Sequence, residues 1–206
     1  MKLISVDSIA LGAFNPHIPQ PGWYISLGLL DPNPGVVSKE VGLHEPALRC
    51  TVGNLRWVVT LDRFAVDLVK LNSDAEVAQP AEFLANTLQK LCHTPLSAVG
   101  HNFGFMLTSP GCKFVQSMLA TLDLLRETLD APSHTSFMQV TLDREVGGAR
   151  ATLRLQLDPD RTVVSVNMNR IVGSAEEGVV AARSVQADFE WATRALRRIV
   201  NAGEHS

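Results

Sequence analysis

The sequence contains few of the residues and motifs that mark a chemical site. Its 206 residues include three cysteines, Cys50, Cys92 and Cys112, which are widely spaced and form no CxxC pair. This pattern argues against a disulfide framework and a zinc knuckle, and it favours free thiols in a reducing compartment. No GxGxxG, Walker A, HExxH or GxSxG motif is present, so nothing predicts a phosphate loop, a metalloprotease helix or a nucleophile elbow.

The sequence also lacks a large excess of charge of one sign, and it lacks long apolar runs. The 18 basic and 21 acidic side chains give a net charge of -3, which argues against a nucleic-acid-binding surface. No apolar stretch is long enough to cross a bilayer, and the apolar run of the first 14 residues is broken by Asp7, unlike a signal peptide. We therefore predict a cytoplasmic protein without a cofactor or metal, which binds neither nucleic acid nor membrane.

The six histidines show no spacing that suggests a metal site. No two of them lie three or four residues apart, so they would have to converge from distant segments to share a metal ion. The more economical interpretation is that each has a structural or surface role.

The patterning of apolar residues predicts an antiparallel sheet. Apolar and polar residues alternate through 55–68 and 150–169, as in strands with one wet face. Gly53-Asn54 is predicted to form a tight hairpin turn, and 36–46 is predicted to be a loop. The predicted strands are 2–14, 23–30, 47–52, 55–61, 64–70, 96–107 and three more between 138 and 169.

Helical spacing of apolar residues predicts three helices. The first begins near Pro80 and ends before Pro95, the second covers about 113–129, and the third follows a glycine-bounded loop and carries a core stripe from Val185 to Ile199. These elements predict an α+β protein of one domain, with an antiparallel sheet and about three helices.

The tetrapeptide TLDR occurs twice, in 59–66 and 140–147, but the flanking segments do not match in that register. A better alignment places 55–69 against 153–168. Both stretches read as strand, Asp-Arg turn and strand, and both lead to a helix. This favours a duplicated ββα unit, with halves of about 1–110 and 111–206. The alternative also stands, because Asp is common in turns for general reasons.

The stretches "AFNPHIPQPGW" and "VTLDRFAV" resemble parts of bacterial conserved hypothetical proteins. Those proteins carry an early proline-rich FNP-like segment, strand hairpins and a C-terminal helix. The resemblance implies a bacterial cytoplasmic protein and assigns no functional residue.

The stretch "SAVGHNFGF" (97–105) contains the strongest candidates for a site. His101 and Asn102 lie between two glycines, where a ligand or another backbone can approach closely. The structural interpretation is a central strand whose polar side chains are satisfied by their neighbours. Asp62, Arg63 and Trp23 complete the candidate binding residues, and none is assigned a catalytic role.

Two functional hypotheses follow. The first is a non-catalytic binding or assembly protein, either a homo-oligomer (a homodimer first) or a module that binds another protein, because open sheet edges and Trp23 offer surfaces. The second is a small-molecule-binding protein or an enzyme with a pocket between the two halves, lined by His101, Asn102, Asp62 and Arg63.

Overall fold

The protein is described by a computed structural model covering residues 1–33, 37–41, 47–107, 120, 139–157 and 162–202. These residues form nine β-strands, four α-helices and one short 3-10 helix, which confirms the predicted α+β class with an antiparallel sheet. Three of the helices have nine residues or more.

The strands are β1 (Lys2–Gly12), β2 (Val37–Val41), β3 (Leu48–Val52), β4 (Leu55–Val59), β5 (Arg63–Leu68), β6 (Leu96–Leu107), β7 (Gln139–Val146), β8 (Ala149–Leu157) and β9 (Thr162–Ile171). The helices are α1 (Pro21–Ser26), α2 (Ala78–Lys90), α3 (Ala175–Arg183) and α4 (Val185–Ala202), and the 3-10 turn is Asp74–Glu76.

All nine strands belong to one antiparallel sheet with β1 and β6 at its centre. The order is β2-β3-β4-β5-β1-β6-β9-β8-β7. The β3–β4 hairpin turns at Gly53, whose φ of 58° is in the left-handed region, so the turn predicted there is confirmed. On either side of the central pair the order is the same: a hairpin lies beside β1 and another beside β6, and each leads to helices.

One face of the sheet is buried beneath the helices, and its side chains form two core clusters. The first core cluster is centred on Trp57, Tyr24 and Phe83, with the Tyr24 and Trp57 ring centroids 5.3 Å apart. The second core cluster is centred on Phe103 and Phe189, whose ring centroids are 5.7 Å apart. Offset and edge-to-face contacts of this kind add to the hydrophobic stabilisation of a core.

The opposite face carries the polar members of the alternating strands. None of the described helices covers it, and we call it the open face. Asp7, Asn102 and Asn167 lie on it in the adjacent strands β1, β6 and β9. Arg56 lies directly across from Asp67 on neighbouring strands, and its Nε donates to Asp67 Oδ1 at 2.9 Å. Since both side chains are partly exposed, this pair contributes at most about 1 kcal/mol.

The prediction of a strand over 23–30 was wrong, because this segment begins with helix α1 and continues as a turn. Pro21 occupies the first helical turn, which suits proline because no amide hydrogen is needed there. The helix buries Tyr24, so packing against Trp57 and Phe83 outweighs the strand preference of the aromatic residues.

The prediction of a loop over 36–46 missed strand β2, which pairs with β3 at the edge of the sheet. All five residues of β2 are exposed. A strand that buries neither face has no apolar alternation, and periodicity therefore gave no signal for it. The remainder of that segment, 42–46, lies outside the described residues.

Part of the segment before the last helix was also predicted as a loop, whereas residues Ala175–Arg183 form α3. The final helix is confirmed as α4, and α2 and β6 lie where they were predicted. The helix predicted over about 113–129 falls outside the described residues, apart from residue 120. The Asp-Arg turn predicted within 153–168 also falls outside them.

Replacing Gly12 by Ala is expected to lower the free energy of unfolding by about 1–3 kcal/mol. A Cβ at Gly12 would collide with the backbone carbonyl oxygen of Pro95, which cannot retreat as a side chain can. Gly22→Ala is the control, since a Cβ there meets no heavy atom within 4 Å. Urea denaturation of the two variants would refute the close approach at Gly12 if both were as stable as the parent protein.

Candidate functional site

His101 and Asn102 are adjacent in β6 at the centre of the sheet, and they point to opposite faces. His101 is buried on the helix-covered face, where its ring contacts α3. Asn102 is on the open face. Successive side chains of a strand alternate in direction, so the two residues predicted to share a pocket do not converge.

The ring of His101 is satisfied by two hydrogen bonds and has no exposed surface. Nε2 is 3.2 Å from the carbonyl oxygen of Ala181, and Nδ1 is 2.9 Å from Ser8 Oγ. Because a carbonyl oxygen can only accept, Nε2 carries the hydrogen and Nδ1 accepts from the Ser8 hydroxyl. Burial lowers the pKa of His101, against the opposing effects of the Ala181 carbonyl and Asp188, so the ring is held neutral.

A buried ion pair lies beside His101 and ties β9 to α4. Two guanidinium nitrogens of Arg170 donate to the two carboxylate oxygens of Asp188, each at 2.6 Å. The Asp188 side chain is 3% exposed, and its Oδ2 is 3.9 Å from His101 Nε2. Bidentate pairing of this type satisfies both groups in a fixed geometry. Ser184 Oγ donates to Ala181 O at 2.7 Å, so the polar groups of this region are occupied by one another.

His101→Ala is expected to lower the free energy of unfolding by about 2–4 kcal/mol, because it opens a cavity, removes the acceptor of the Ser8 hydroxyl and removes one of the donors to the Ala181 carbonyl. Urea denaturation measures the loss. An unchanged midpoint would contradict the structural role of the ring, and it would favour a role in binding instead.

Acidification is expected to destabilise the protein through His101. Since burial lowers the folded-state pKa below the ordinary value of 6.5, the unfolded state binds the proton at higher pH than the folded state does. The stabilising contribution is therefore complete above pH 6.5 and is lost as the pH falls below it. The stability difference between the parent protein and His101→Gln should be larger at about pH 7.5 than at about pH 5.

Urea denaturation at the two pH values measures this difference, to which groups that do not interact with His101 contribute equally in both proteins. The charged groups near the ring are Asp188 and Arg170, and both remain in the variant. An equal stability difference at both pH values would show that His101 does not carry the pH dependence.

Asn102 belongs to a short chain of hydrogen bonds on the open face. Its Nδ2 donates to Asp7 Oδ1, and its Oδ1 accepts from Asn167 Nδ2, both at 2.6 Å. Burial raises the pKa of Asp7, while the hydrogen bond from Asn102 and the charge of Arg63 lower it. The amide thus links three neighbouring strands, which is a structural use of its donor and acceptor.

Asp62 and Arg63 lie at the start of β5, away from His101. Asp62 Oδ1 accepts from Thr60 Oγ at 2.6 Å, and the Asp62 carbonyl accepts from the Gly12 amide at 3.0 Å, as turn residues commonly do. Arg63 lines a shallow open-face pocket of about 510 Å³ together with Asp7 and Arg56. Neither His101 nor Asn102 lines that pocket, so the structure does not bring the four residues together.

Trp23 is in α1 and is partly buried. It packs against the first core cluster, with its ring edge-to-face to that of Tyr24 at a centroid distance of 4.9 Å. Part of the Trp23 ring therefore packs in the core, and only the remainder contributes to the surface that the sequence suggested for binding.

A groove beside α3 was not anticipated from the sequence. It has a volume of about 970 Å³ and is bounded by α3, the start of α4, the end of β9 and the β7–β8 turn. Its apolar lining includes Ile171, which is 91% exposed, Val180, which is 69% exposed, and Trp191, which is partly exposed. A second groove of about 540 Å³ lies on the other side of α3, against the end of α2.

We call the exposed side of α3, with the grooves on its two flanks, the α3 surface. One sequence signal for α3 was present. Ser174 Oγ accepts from the Glu177 amide at 3.1 Å, and Glu177 Oε2 accepts from the Gly173 amide at 2.7 Å. This is the S-x-x-E capping pattern, which marks the start of a helix in the segment that was predicted to be a loop.

Among the described residues, no three His, Cys, Asp or Glu side chains are placed to hold a metal ion. In the same part of the chain, none of the helices combines the length and the apolar character needed to span a membrane. No protein-family model matches the chain, and no curated protein matches it.

Proposed function

We propose that this protein is a non-catalytic binding or assembly module that binds another polypeptide at the α3 surface. The observation that carries the proposal is the exposure of Ile171 and Val180 beside a groove of about 970 Å³. Apolar side chains clustered around a concave surface are typical of protein interaction sites. The partly exposed Trp191 supports the same conclusion, since aromatic residues are enriched in interfaces.

The polar groups of the large groove favour a polypeptide over a small molecule. Small-molecule sites usually offer a few convergent polar groups that are free to bind the ligand. Here Arg170 and Asp188 bond to each other, Ser184 bonds to the Ala181 carbonyl and Glu177 caps α3, whereas Glu176 has no ion-pair partner among the described residues. The surface that the groove presents to a binding partner is mainly apolar, which suits the side chains of a folded polypeptide.

The alternative is a small-molecule-binding protein or an enzyme with a pocket near His101 and Asn102. The groove does adjoin His101, since Ala181 and Asp188 line it and also contact the ring. The ring itself is fully buried and satisfied, however, and Asn102 is bonded to Asp7 and Asn167 on the other face. These contacts favour the binding module.

The thiols support our proposal of a cytoplasmic location. Cys50 is a buried free thiol, and burial raises its pKa to about 11, which keeps it protonated and unreactive. Cys92 is a free thiol at the surface. Exposed free thiols persist best in a reducing compartment.

We also propose that the chain arose by duplication of one unit. The hairpins β4–β5 and β8–β9 flank the central pair β1 and β6 on opposite sides, and each leads to helices. If β1 and β6 are equivalent, the second half begins near residue 95 rather than 111. The matching Asp-Arg turns at 62–63 and 160–161 were the sequence signal, and the second of these lies outside the described residues.

A photo-cross-linking residue in place of Val180 is expected to capture a polypeptide in cells that express the protein at its natural level. The matched control is the same cross-linking residue in place of Val69. Val69 is 55% exposed, and it is more than 100 residues from α3 in the sequence. Denaturing electrophoresis and mass spectrometry detect the product. Absence of a cross-link at 180, or equal products at both positions, would overturn the proposed function.

A further inference from the structure

We infer that the polypeptide bound at the α3 surface is a second copy of this chain, with the two α3 helices antiparallel across a two-fold axis near Val180. This inference rests on the proposed function and specifies its partner. It follows from the arrangement of charged and apolar side chains along one side of α3.

Three exposed residues, Glu176, Val180 and Arg183, form a stripe along the helix at spacings of four and three. Their neighbour Glu177 is already used in capping the helix, whereas Glu176 is not. Within the described residues, neither Glu176 nor Arg183 has an ion-pair partner within 4 Å. They are seven residues apart, about 10 Å along the helix, so they do not pair with each other.

A two-fold axis near the middle of the stripe gives each of these charges a partner. When a second α3 runs in the opposite direction, Glu176 of one copy faces Arg183 of the other, and the reverse pair forms by symmetry. The exposed Val180 side chains then meet close to the axis. A self-complementary patch of this kind is the requirement for a closed two-fold dimer, and opposite charges across an interface fix its register.

The surface on both sides of the stripe has the shape that such a pairing needs. Side-chain rows of two packed helices interdigitate, which requires the surface beside the contact to leave room for the second copy. The α3 ridge is flanked by grooves of about 970 Å³ and about 540 Å³, and Glu176 and Val180 line both of them. Ile171 and Trp191 lie in the larger groove, where they would contact the second copy beyond the helix pair.

Charge reversal tests the pairing directly, with sedimentation velocity as the measurement on the full chain. The parent protein is expected to dimerise. Glu176→Arg and Arg183→Glu should each weaken self-association by about tenfold or more, because each puts two like-charge pairs in the interface. Both residues are exposed, so the fold should tolerate the changes, and circular dichroism checks this.

Two restoring experiments then distinguish the antiparallel pairing from a general loss of association. A mixture of the Glu176→Arg and Arg183→Glu proteins should form mixed dimers, because every facing pair is again of opposite sign. The double variant, Glu176→Arg with Arg183→Glu, should recover dimerisation by itself. Failure of both restorations would overturn the arrangement, as would dimerisation of the single variants at the parent's strength.

A parent protein that stays monomeric over the measured concentration range would also overturn the inference. The cross-link at position 180 separates this failure from that of the proposed function. A monomeric protein that cross-links to a different polypeptide there would be a binding module with another partner. A monomeric protein without a cross-link would overturn both.

Discussion

The pairing of β1 with β6 is the constraint on which the rest of the structure depends. These two long strands lie at the middle of the sheet, and all other strands are added outward from them. Their register also places Ser8 directly across from His101, so that the hydroxyl can donate to Nδ1. The ring in turn holds the carbonyl at the end of α3, which connects the central pair to the helical layer.

His101 illustrates how a residue that looks functional in the sequence can serve packing. A polar side chain between glycines suggested room for a ligand, but the space around it is filled by α3 and by the Arg170–Asp188 pair. Burying a polar group without a hydrogen-bond partner costs stability. Each buried polar group in this region is therefore bonded to another, and together they form a hydrogen-bonded network. The closed network leaves the neighbouring groove with an apolar character, and in this way the histidine shapes the α3 surface without being exposed on it.

The sequence predicted those elements whose packing leaves a regular pattern. The buried residues Trp57 and Val59 alternate with less buried ones in β4, and Phe83 to Leu88 in α2 follow a helical stripe, so both elements could be located. Strand β2 buries neither face and gave no pattern. Helix α1 is too short for a helical period to show, and its conformation depends on contacts with Trp57, far along the chain.

The candidate site was only partly predictable for similar reasons. That His101 and Asn102 point apart follows from strand geometry and could have been deduced from the predicted strand. That Val180 is exposed could not, because α3 has apolar residues on both its buried and its exposed sides. Which valine faces the core is decided by how α3 lies on α2 and β6, and a single sequence does not contain that information.

The break between α3 and α4 at Ser184 has a consequence for how the molecule unfolds. Val179 and Ala182 of α3 belong to the first core cluster, whereas Phe189 of α4 belongs to the second. Helix α2 contributes to both clusters. Most of its buried residues lie in the first cluster, but Ala81 lies in the second. The two clusters thus share the helix α2, and the connected helices α3 and α4 each serve a different one, so we expect that neither core opens without disturbing the other. We therefore expect the described structure to unfold as a single cooperative unit.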